Sequence, residues 1–210
     1  MSQIITRLFD NFTDAEHAVV ALERAGVPHR DISLVSHKSD KRHTAARVRE
    51  PHDDTPGEAS AKGAGAGAGV GGALGAAGGV LAGLGLMAIP GIGPVIAAGW
   101  LASAAAGAVA GGAIGGTAGG IVGALSHAGV SREEAEVYAE GVRRGGTLLS
   151  AKVDDDKAVA AEAAIRNLPF VDVRTRAAAY REAGWTRFDE TAGPYSEDER
   201  ELERARWTQQ

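Results

Sequence analysis

Histidine and acidic side chains are the first candidates for chemistry in this chain, because imidazole and carboxylate groups are common metal ligands. The residues that could be assembled into such a site are His37, His43, His52, Asp53 and Asp54. Their spacings match no compact ligand pattern, and they fall in a stretch of mixed charge, so we interpret them as solvated side chains. The acidic run Asp154–Asp156 lacks the following glycine and distal glutamate of a calcium loop and indicates a turn with a helix cap.

Two further patterns bear on cofactor binding and catalysis. The spacing of Gly67, Gly69 and Gly72 matches a dinucleotide fingerprint, but no strand precedes it, and so glycine-rich a segment produces such matches by chance. The histidines have no nucleophile elbow or strand-end context that would indicate a Ser-His-acid triad. The sequence therefore predicts no catalytic, cofactor or metal site, and a protein that is not an enzyme.

Net charge and cysteine content exclude further classes. A formal net charge of -5 argues against a phosphate-binding surface, so we expect no nucleic-acid partner. The absence of cysteine excludes disulfides, zinc-thiolate sites and thiol nucleophiles. The first ten residues lack the basic and apolar regions of a secretory signal, which predicts a cytoplasmic N-terminus.

A glycine-rich segment separates two stretches of ordinary soluble sequence. It holds 22 of the 30 glycines between Gly63 and Gly123, with no charged residue from Gly63 to Ser126. Glycines recur every four residues in a first ladder of Gly63, Gly67, Gly71, Gly75, Gly79 and Gly83. A second ladder contains Gly99, Ser103, Gly107, Gly111, Gly115, Gly119 and Gly123. Residues four apart lie nearly above one another on an α-helix, so each ladder predicts a helix with a groove that a second backbone can approach closely.

The ladders predict a glycine zipper in the form of a helical hairpin, with helices from Gly63 to Ile89 and from Pro94 to Ser126. Its turn residues are Pro90, Gly91, Gly93 and Pro94. Its helix-packing interface comprises Gly67, Gly71, Gly75, Gly79, Gly83, Gly107, Gly111, Gly115, Gly119 and Gly123. Each glycine inside a helix costs about 1 kcal/mol relative to alanine. The glycines of the first helix therefore cost about 10 kcal/mol together, which a bilayer or a packed oligomer must offset.

Both environments for the hairpin remain open. The helices would measure about 40 and 50 Å at 1.5 Å per residue, whereas a hydrocarbon core is about 30 Å thick. Against insertion, Val70 and Leu74 are the only large aliphatic residues in the first half of the first helix. We favour a membrane-embedded hairpin over a self-packed one. The expected partners are membrane lipid and further copies of the chain, and the expected location is the cytoplasmic side of the inner (plasma) membrane or, for a soluble assembly, the cytoplasm.

A β-α-β unit precedes the glycine segment. It consists of a strand from Ile4 to Phe9, a helix capped by Thr13 and Glu16, and a half-buried strand from Ile32 to Val35. Gly26 is the natural end of the helix.

A second β-α-β unit follows the glycine segment. Ser131 and Glu134 form the capping box of a helix that ends at Gly145. The unit itself consists of a strand from Thr147 to Val153, a helix from Asp156 to Asn167 and a strand from Phe170 to Val173. The repeated order predicts an α+β fold, a ferredoxin-like split β-α-β sheet with helices on one face, interrupted by the glycine-zipper hairpin.

The predicted domain organisation has four parts. They are a discontinuous ferredoxin-like domain (1–36 and 128–176), a flexible charged linker (37–62), the glycine-zipper hairpin (63–126) and an aromatic, charged C-terminal tail (177–210). Within the tail, Ser196 and Glu199 predict a further capping box. We interpret the tail aromatics as a strap over the domain in preference to a docking motif.

Three segments resemble the general stress protein 17M-like (heat-induced stress protein) family of bacteria. They read RLFDNFTDAEHAVVALERAGVPHRDISLVS, AIPGIGPVIAAG and GVSREEAEVYAEGVRRGGTLLSAKVDD. The resemblance implies a stress-associated bacterial protein whose α/β domain is interrupted by a glycine-zipper hairpin, and it implies no catalytic residues. The sequence thus favours a non-enzymatic stress-associated scaffold that associates with membrane, self-assembles, or both. The alternative is a soluble oligomeric module for small-molecule binding or signalling.

Overall fold

The computed structural model describes residues 2–37, 85–104 and 120–208. These residues form one sheet with helices on both faces. The strands are β1 (Ser2–Phe9), β2 (Ile32–His37), β3 (Gly85–Ile89), β4 (Gly93–Ala98) and β5 (Thr147–Asp154). The helices are α1 (Phe12–Arg24), α2 (Gly120–His127), α3 (Arg132–Arg143), α4 (Asp155–Ile165), α5 (Val173–Glu182) and α6 (Glu197–Thr208). The predicted α+β class is confirmed.

The sheet is antiparallel, with the strand order β1-β5-β2-β4-β3. The strand β5 pairs with β1 along its whole length and with β2 through Leu149 opposite Leu34. The helix α1 connects β1 to β2, which are therefore parallel to each other with β5 between them. The hairpin of β3 and β4 extends the sheet beyond β2.

Apolar side chains cover both faces of the sheet. On one face, Phe9 and Leu149 pack in a buried cluster with residues of α1 and α4. On the other face, Leu8 and Leu148 pack in a second cluster with residues of α2 and α3, including Leu125. The prediction of helices on one face only is therefore wrong. The sequence predicts a half-buried β2. All six of its residues are buried, as expected for a strand with helices on both faces.

Side chains close in sequence cap the N-terminal ends of several helices. Gly26 adopts φ 91° just after α1 as predicted, but the helix begins earlier than expected. The Asn11 side chain accepts a hydrogen bond from the Asp14 N–H at 2.9 Å, so the predicted cap at Thr13 is wrong. The capping boxes of α3 and α6 are confirmed, because the Glu134 N–H and the Glu199 N–H each donate to the preceding serine hydroxyl at 3.3 Å.

The predicted strand from Phe170 to Val173 is wrong. The helix α5 begins at Val173, because the Asp172 carboxylate accepts a hydrogen bond from the Thr175 N–H at 2.7 Å and caps that helix. What remains of strand pairing is one backbone hydrogen bond, from the Val171 N–H to the Leu8 carbonyl of β1 at 2.7 Å.

The predicted helical hairpin is wrong near its turn, where residues 85–89 and 93–98 form strands. Val95 and Ala97 are buried while the intervening Ile96 is half-buried, a period of two that completes the sheet beside β2. These residues belong to the sheet rather than to a separate unit. Residues 63–84 and 105–119, which carry most of the two ladders, lie outside the described residues, as do residues 38–62 of the predicted linker.

The predicted boundaries of the linker and tail also shift. His37, expected to begin the linker, is the last residue of β2 and is 5% exposed. Position 177 lies inside α5, so the tail begins after Glu182. Its aromatic residues act as a strap, as interpreted: Phe188 lies in the core cluster, and Trp185 and Trp207 pack edge-on against Tyr180 at ring-centroid distances of 6.0 and 6.5 Å.

Candidate functional site at the β3–β4 hairpin

The β3–β4 turn contains the predicted turn residues, although it joins strands instead of helices. The Ile92 N–H donates to the Ile89 carbonyl at 3.1 Å. Pro90 precedes Gly91, which adopts φ 76°, so proline and glycine occupy the positions typical of a type II turn. The turn is thus specified locally by the sequence.

The C-terminal tail lies directly on this turn. A Cβ atom at Gly91 would come within 2.8 Å of the Asp189 carbonyl oxygen, and one at Gly93 within 2.9 Å of Pro194 Cβ. Both positions require glycine, because the tail approaches the backbone itself. The tail therefore fixes the hairpin at its turn end.

A second anchor lies where β4 passes into the helical residues 100–104. Gly99 adopts φ 80°, and a Cβ atom there would overlap the Ile32 carbonyl oxygen and lie 2.6 Å from Ser33 Oγ. The Leu101 N–H donates to Ser33 Oγ at 2.8 Å, which caps the first turn of these residues. Gly99, assigned to the second glycine ladder, is thus a corner between strand and helix.

A third anchor lies where the described chain resumes at α2. Gly120 adopts φ 66°, and a Cβ atom there would lie 3.0 Å from Ile89 Cγ2. Ile89 is itself 4% exposed. The first residue of α2 is therefore packed against β3.

The sheet brings the C-terminal end of the first glycine-rich tract and the N-terminal end of the second to one side of the domain. We call residues 63–84 and 105–119 the glycine tracts. The first tract leads into Gly85, which is paired with Ala97. The second begins after Ala104, which lines a cavity together with Ile4 and Lys152. In the sheet, this is the end at which β1 and β2 begin.

One of the ten predicted helix-packing residues lies in the described part of the chain. Gly123 is half-buried in α2. The others lie outside the described residues: Gly67, Gly71, Gly75, Gly79, Gly83, Gly107, Gly111, Gly115 and Gly119.

A cluster of arginine and aromatic side chains, which we call the tail clamp, holds α6 and the tail on α3. Its residues are Glu140, Arg143, Arg144, Arg176, Tyr180, Tyr195 and Trp207. The Arg144 guanidinium donates to the Glu140 carboxylate at 2.6 Å, and its carbon lies 4.2 Å from the centroid of the Tyr180 ring. Burial lowers the pKa of Arg144, but the hydrogen bond and charge of Glu140 more than offset this and raise it above its ordinary value. Arg144 is therefore a fixed cation at the centre of the clamp.

Arg176 ties the clamp to the β1–α1 loop. Its two terminal nitrogens donate to the Asp10 carboxylate at 2.8 and 3.0 Å. The guanidinium carbon also lies 3.8 Å from the centroid of the Trp207 ring on α6. Bidentate pairs and ring stacking are suited to arginine in particular. One side chain thus connects the loop after β1 to the C-terminal helix.

His37 lies beneath the tail near the β3–β4 turn. Burial lowers its pKa to about 4, and the nearby charges of Arg200 and Arg204 act in the same direction. A hydrogen bond with the backbone of Ile92 and the charge of Glu197 act against this shift. His37 is therefore neutral at physiological pH, which suits its buried position.

Sequence reasoning did not identify Ser33, Gly99 and Gly120 as anchors of the hairpin. It placed Ser33 in an ordinary strand and Gly99 in the second ladder. The available signal was Gly99 directly following the short apolar stretch Val95–Ala98, since a glycine at the end of such a run is typical of a turn. The tail contacts of Gly91 and Gly93 join residues about a hundred positions apart, and no local pattern predicts them.

The described ranges contain neither a metal cluster nor a membrane span. No group of three or more histidine or acidic residues in them is arranged to hold a metal ion. Within the same part of the chain, no helix is both long and apolar enough to cross a bilayer.

No family model matches the chain, and comparisons with curated proteins and with solved structures find no match either.

Proposed function

We propose that this chain is a non-enzymatic scaffold whose folded domain carries two glycine tracts that associate with membrane, with further copies of the chain, or with both. The domain acts as a fixed base, and the tracts act by packing. The stress association rests on the resemblance to the general stress protein 17M-like family.

The observation that carries this proposal is the arrangement of the hairpin. Gly85 pairs with Ala97, and the residues after Ala98 turn sharply at Gly99, so the end of one tract and the start of the other join the same end of the sheet. Helices with glycine at every fourth position gain from close backbone approach to a neighbour. A shared point of attachment makes such an approach available within one chain and between chains.

The packing of helices on both faces of the sheet supports the proposal independently. Both sheet faces are covered by described helices, and Val159 and Leu202 are the only exposed large hydrophobic residues among those whose side chains the structure describes. Described helices therefore pack on each face of the sheet. The helix cost of about 1 kcal/mol per glycine must be offset by contacts that the tracts make elsewhere.

The arrangement of β1, α1, β2 and β5 supports a finer assignment. Two parallel strands joined by a helix, with an antiparallel strand between them, are half of a ferredoxin-like sheet. We propose that the domain is a ferredoxin-like relative in which the β3–β4 hairpin extends one edge of the sheet. The other edge, β1, retains only the Val171 hydrogen bond where a further strand would pair.

A second candidate function is a soluble oligomeric module that binds a small molecule. The observation that favours it is a cavity of about 540 Å³ between the sheet and α2.

Membrane fractionation with an alkaline carbonate wash tests the scaffold proposal. Retention of the full chain in the washed pellet is expected if the tracts are embedded in a bilayer. Release as a species several times the monomer mass is expected if the tracts pack against each other. Release as a monomer of 21.4 kDa would contradict both forms of the proposal.

A further inference from the structure

A cavity lies on the sheet face that carries α2, at the end of the sheet where β1 begins. Its volume is about 540 Å³, within the range of about 300–1,000 Å³ typical of small-molecule sites. The sheet supplies Ile4 and Lys152, which are paired across β1 and β5. Trp100 and the end of α2 supply the walls.

The lining of this cavity is mixed, with somewhat more apolar than polar surface. Ile4, Trp100 and Ala124 provide the apolar part. Lys152 is the only lysine, arginine, aspartate or glutamate among the described lining residues. Its Nζ atom lies 4.4 Å from the centroid of the Trp100 ring. A cation held over an indole face beside an apolar wall suits a ligand with one negative group and an apolar body.

The neighbouring acidic residue does not cancel this charge. Asp154, two positions after Lys152 on the same strand, forms an ion pair with Lys157 at 3.5 Å and does not line the cavity. Lys152 therefore provides the positive charge that faces a ligand in the cavity. His127 can add a ring N–H donor in either of its neutral tautomers.

The orientation of α2 disfavours a ligand with several negative charges. This helix ends at His127, so its C-terminal end, with its partial negative charge, faces the cavity. A polyphosphate carries several negative charges, whereas the cavity offers it one lysine and the partially negative end of a helix. A monocarboxylate needs only the lysine and one further donor.

We propose that this cavity binds a free monocarboxylate with an apolar body, such as a medium-chain fatty acid. Its carboxylate pairs with Lys152, and its body lies against Trp100 and Ile4. The proposal goes beyond the scaffold function and does not depend on it.

Nuclear magnetic resonance of the tryptophan indole N–H groups in the full chain tests this site. The chain has three tryptophans, and a Trp100→Phe variant identifies the Trp100 signal. Decanoate, kept below its micelle-forming concentration, is expected to shift the Trp100 signal saturably and to leave the signals of Trp185 and Trp207 in place. Decyltrimethylammonium, with the same chain and the opposite charge, is expected to leave all three signals in place.

Charge-matched variants make the test specific. Lys152→Met should weaken decanoate binding by about tenfold or more, because it removes the charge that pairs with the carboxylate. Arg166→Met removes one positive charge at the end of α4, which packs on the opposite sheet face, and should leave the dissociation constant unchanged. Unchanged Trp185 and Trp207 signals report that each variant remains folded.

Three results would overturn the proposal. They are a non-saturating shift of all three indole signals, equal binding by Lys152→Met and the unmodified chain, and a Trp100 shift with phosphatidylglycerol vesicles but not with decanoate. The last result would assign the cavity to a membrane headgroup. None of these results bears on the carbonate wash, so the two proposals fail separately.

Discussion

At the scale of single residues, Gly99 packs closely against the backbone of β2 shortly before the second glycine tract begins. Its φ of 80° is unfavourable for any other residue, and the space for a side chain is filled by Ile32 and Ser33. Gly184 has a similar φ of 90°, but a Cβ atom added there would meet nothing within 4 Å. Comparing substitutions at the two positions therefore separates the free-energy cost of an unfavourable φ from the cost of steric overlap.

We predict that Gly99→Ala lowers the free energy of unfolding by about 3 kcal/mol or more, because strain and overlap add. Gly184→Ala should cost only about 1 kcal/mol, since strain acts alone. Chemical denaturation of both variants measures the difference. Equal costs would mean that the close approach to β2 is absent.

His37 gives the fold a dependence on pH. Its pKa is about 4 in the folded chain against 6.5 when unperturbed, so the folded state favours the neutral ring. The stabilisation is complete above pH 6.5 and is lost as the pH falls toward 4, because protons then bind the unfolded chain more tightly.

We predict that the unmodified chain loses about 3 kcal/mol more stability than His37→Gln between about pH 7 and about pH 4. The variant keeps the carboxylates that titrate in the same range, so it is the control for them. Denaturation curves at several pH values provide the measurement. Parallel curves for the two proteins would show that His37 is not buried as described.

At the scale of secondary-structure elements, α3 carries two ion pairs of the same spacing in different surroundings. Glu140 pairs with Arg144 at 2.6 Å, and its side chain is 1% exposed. Glu136 pairs with Arg132 at 3.1 Å, where the arginine is 57% exposed. Burial is the main difference between them.

We predict that Glu140→Gln destabilises the fold by about 3 kcal/mol, because it leaves Arg144 in the tail clamp without its buried counter-charge. Glu136→Gln should change stability by less than about 0.5 kcal/mol, since exposed pairs contribute little. Thermal unfolding of both variants makes the comparison. Similar shifts would indicate that the clamp does not hold α6 on α3.

The accuracy of the sequence interpretation at this scale depends on how local each signal is. The caps at Ser131 and Ser196 and the end of α1 at Gly26 were predictable, because each is decided within a few residues. The cap at Asn11 was not, because a nearby Ser/Thr-x-x-Glu pattern competes with it. The apolar residues of the short stretch from Phe170 predict a strand, but the Asp172 cap starts a helix instead.

The β3–β4 hairpin escaped prediction for a non-local reason. Residues 85–98 continue a glycine-rich pattern that predicts helix, and only pairing with β2, distant in sequence, makes them strands. The turn residues at its centre were identifiable because proline and glycine specify a turn whichever elements they join.

At the scale of the whole molecule, a three-layer domain holds the end of the first glycine tract and the start of the second at one end of its sheet. The tail clamp and the strap at Gly91 fix the far end of the same hairpin. The glycine tracts differ from the rest of the chain in composition, because they carry no charged residue. The proposed function therefore depends above all on assembly through these tracts.

Light scattering tests this assembly most directly, because it gives the mass of the full chain in buffer and in mild detergent. The double variant Gly75→Leu and Gly115→Leu places large side chains on both ladders, and Gly193→Leu is the control at a described glycine with open space around it. We predict a multiple of 21.4 kDa for the unmodified chain and for Gly193→Leu, and a shift toward 21.4 kDa for the double variant. An unchanged mass in the double variant, in buffer and in detergent alike, would contradict assembly through the tracts.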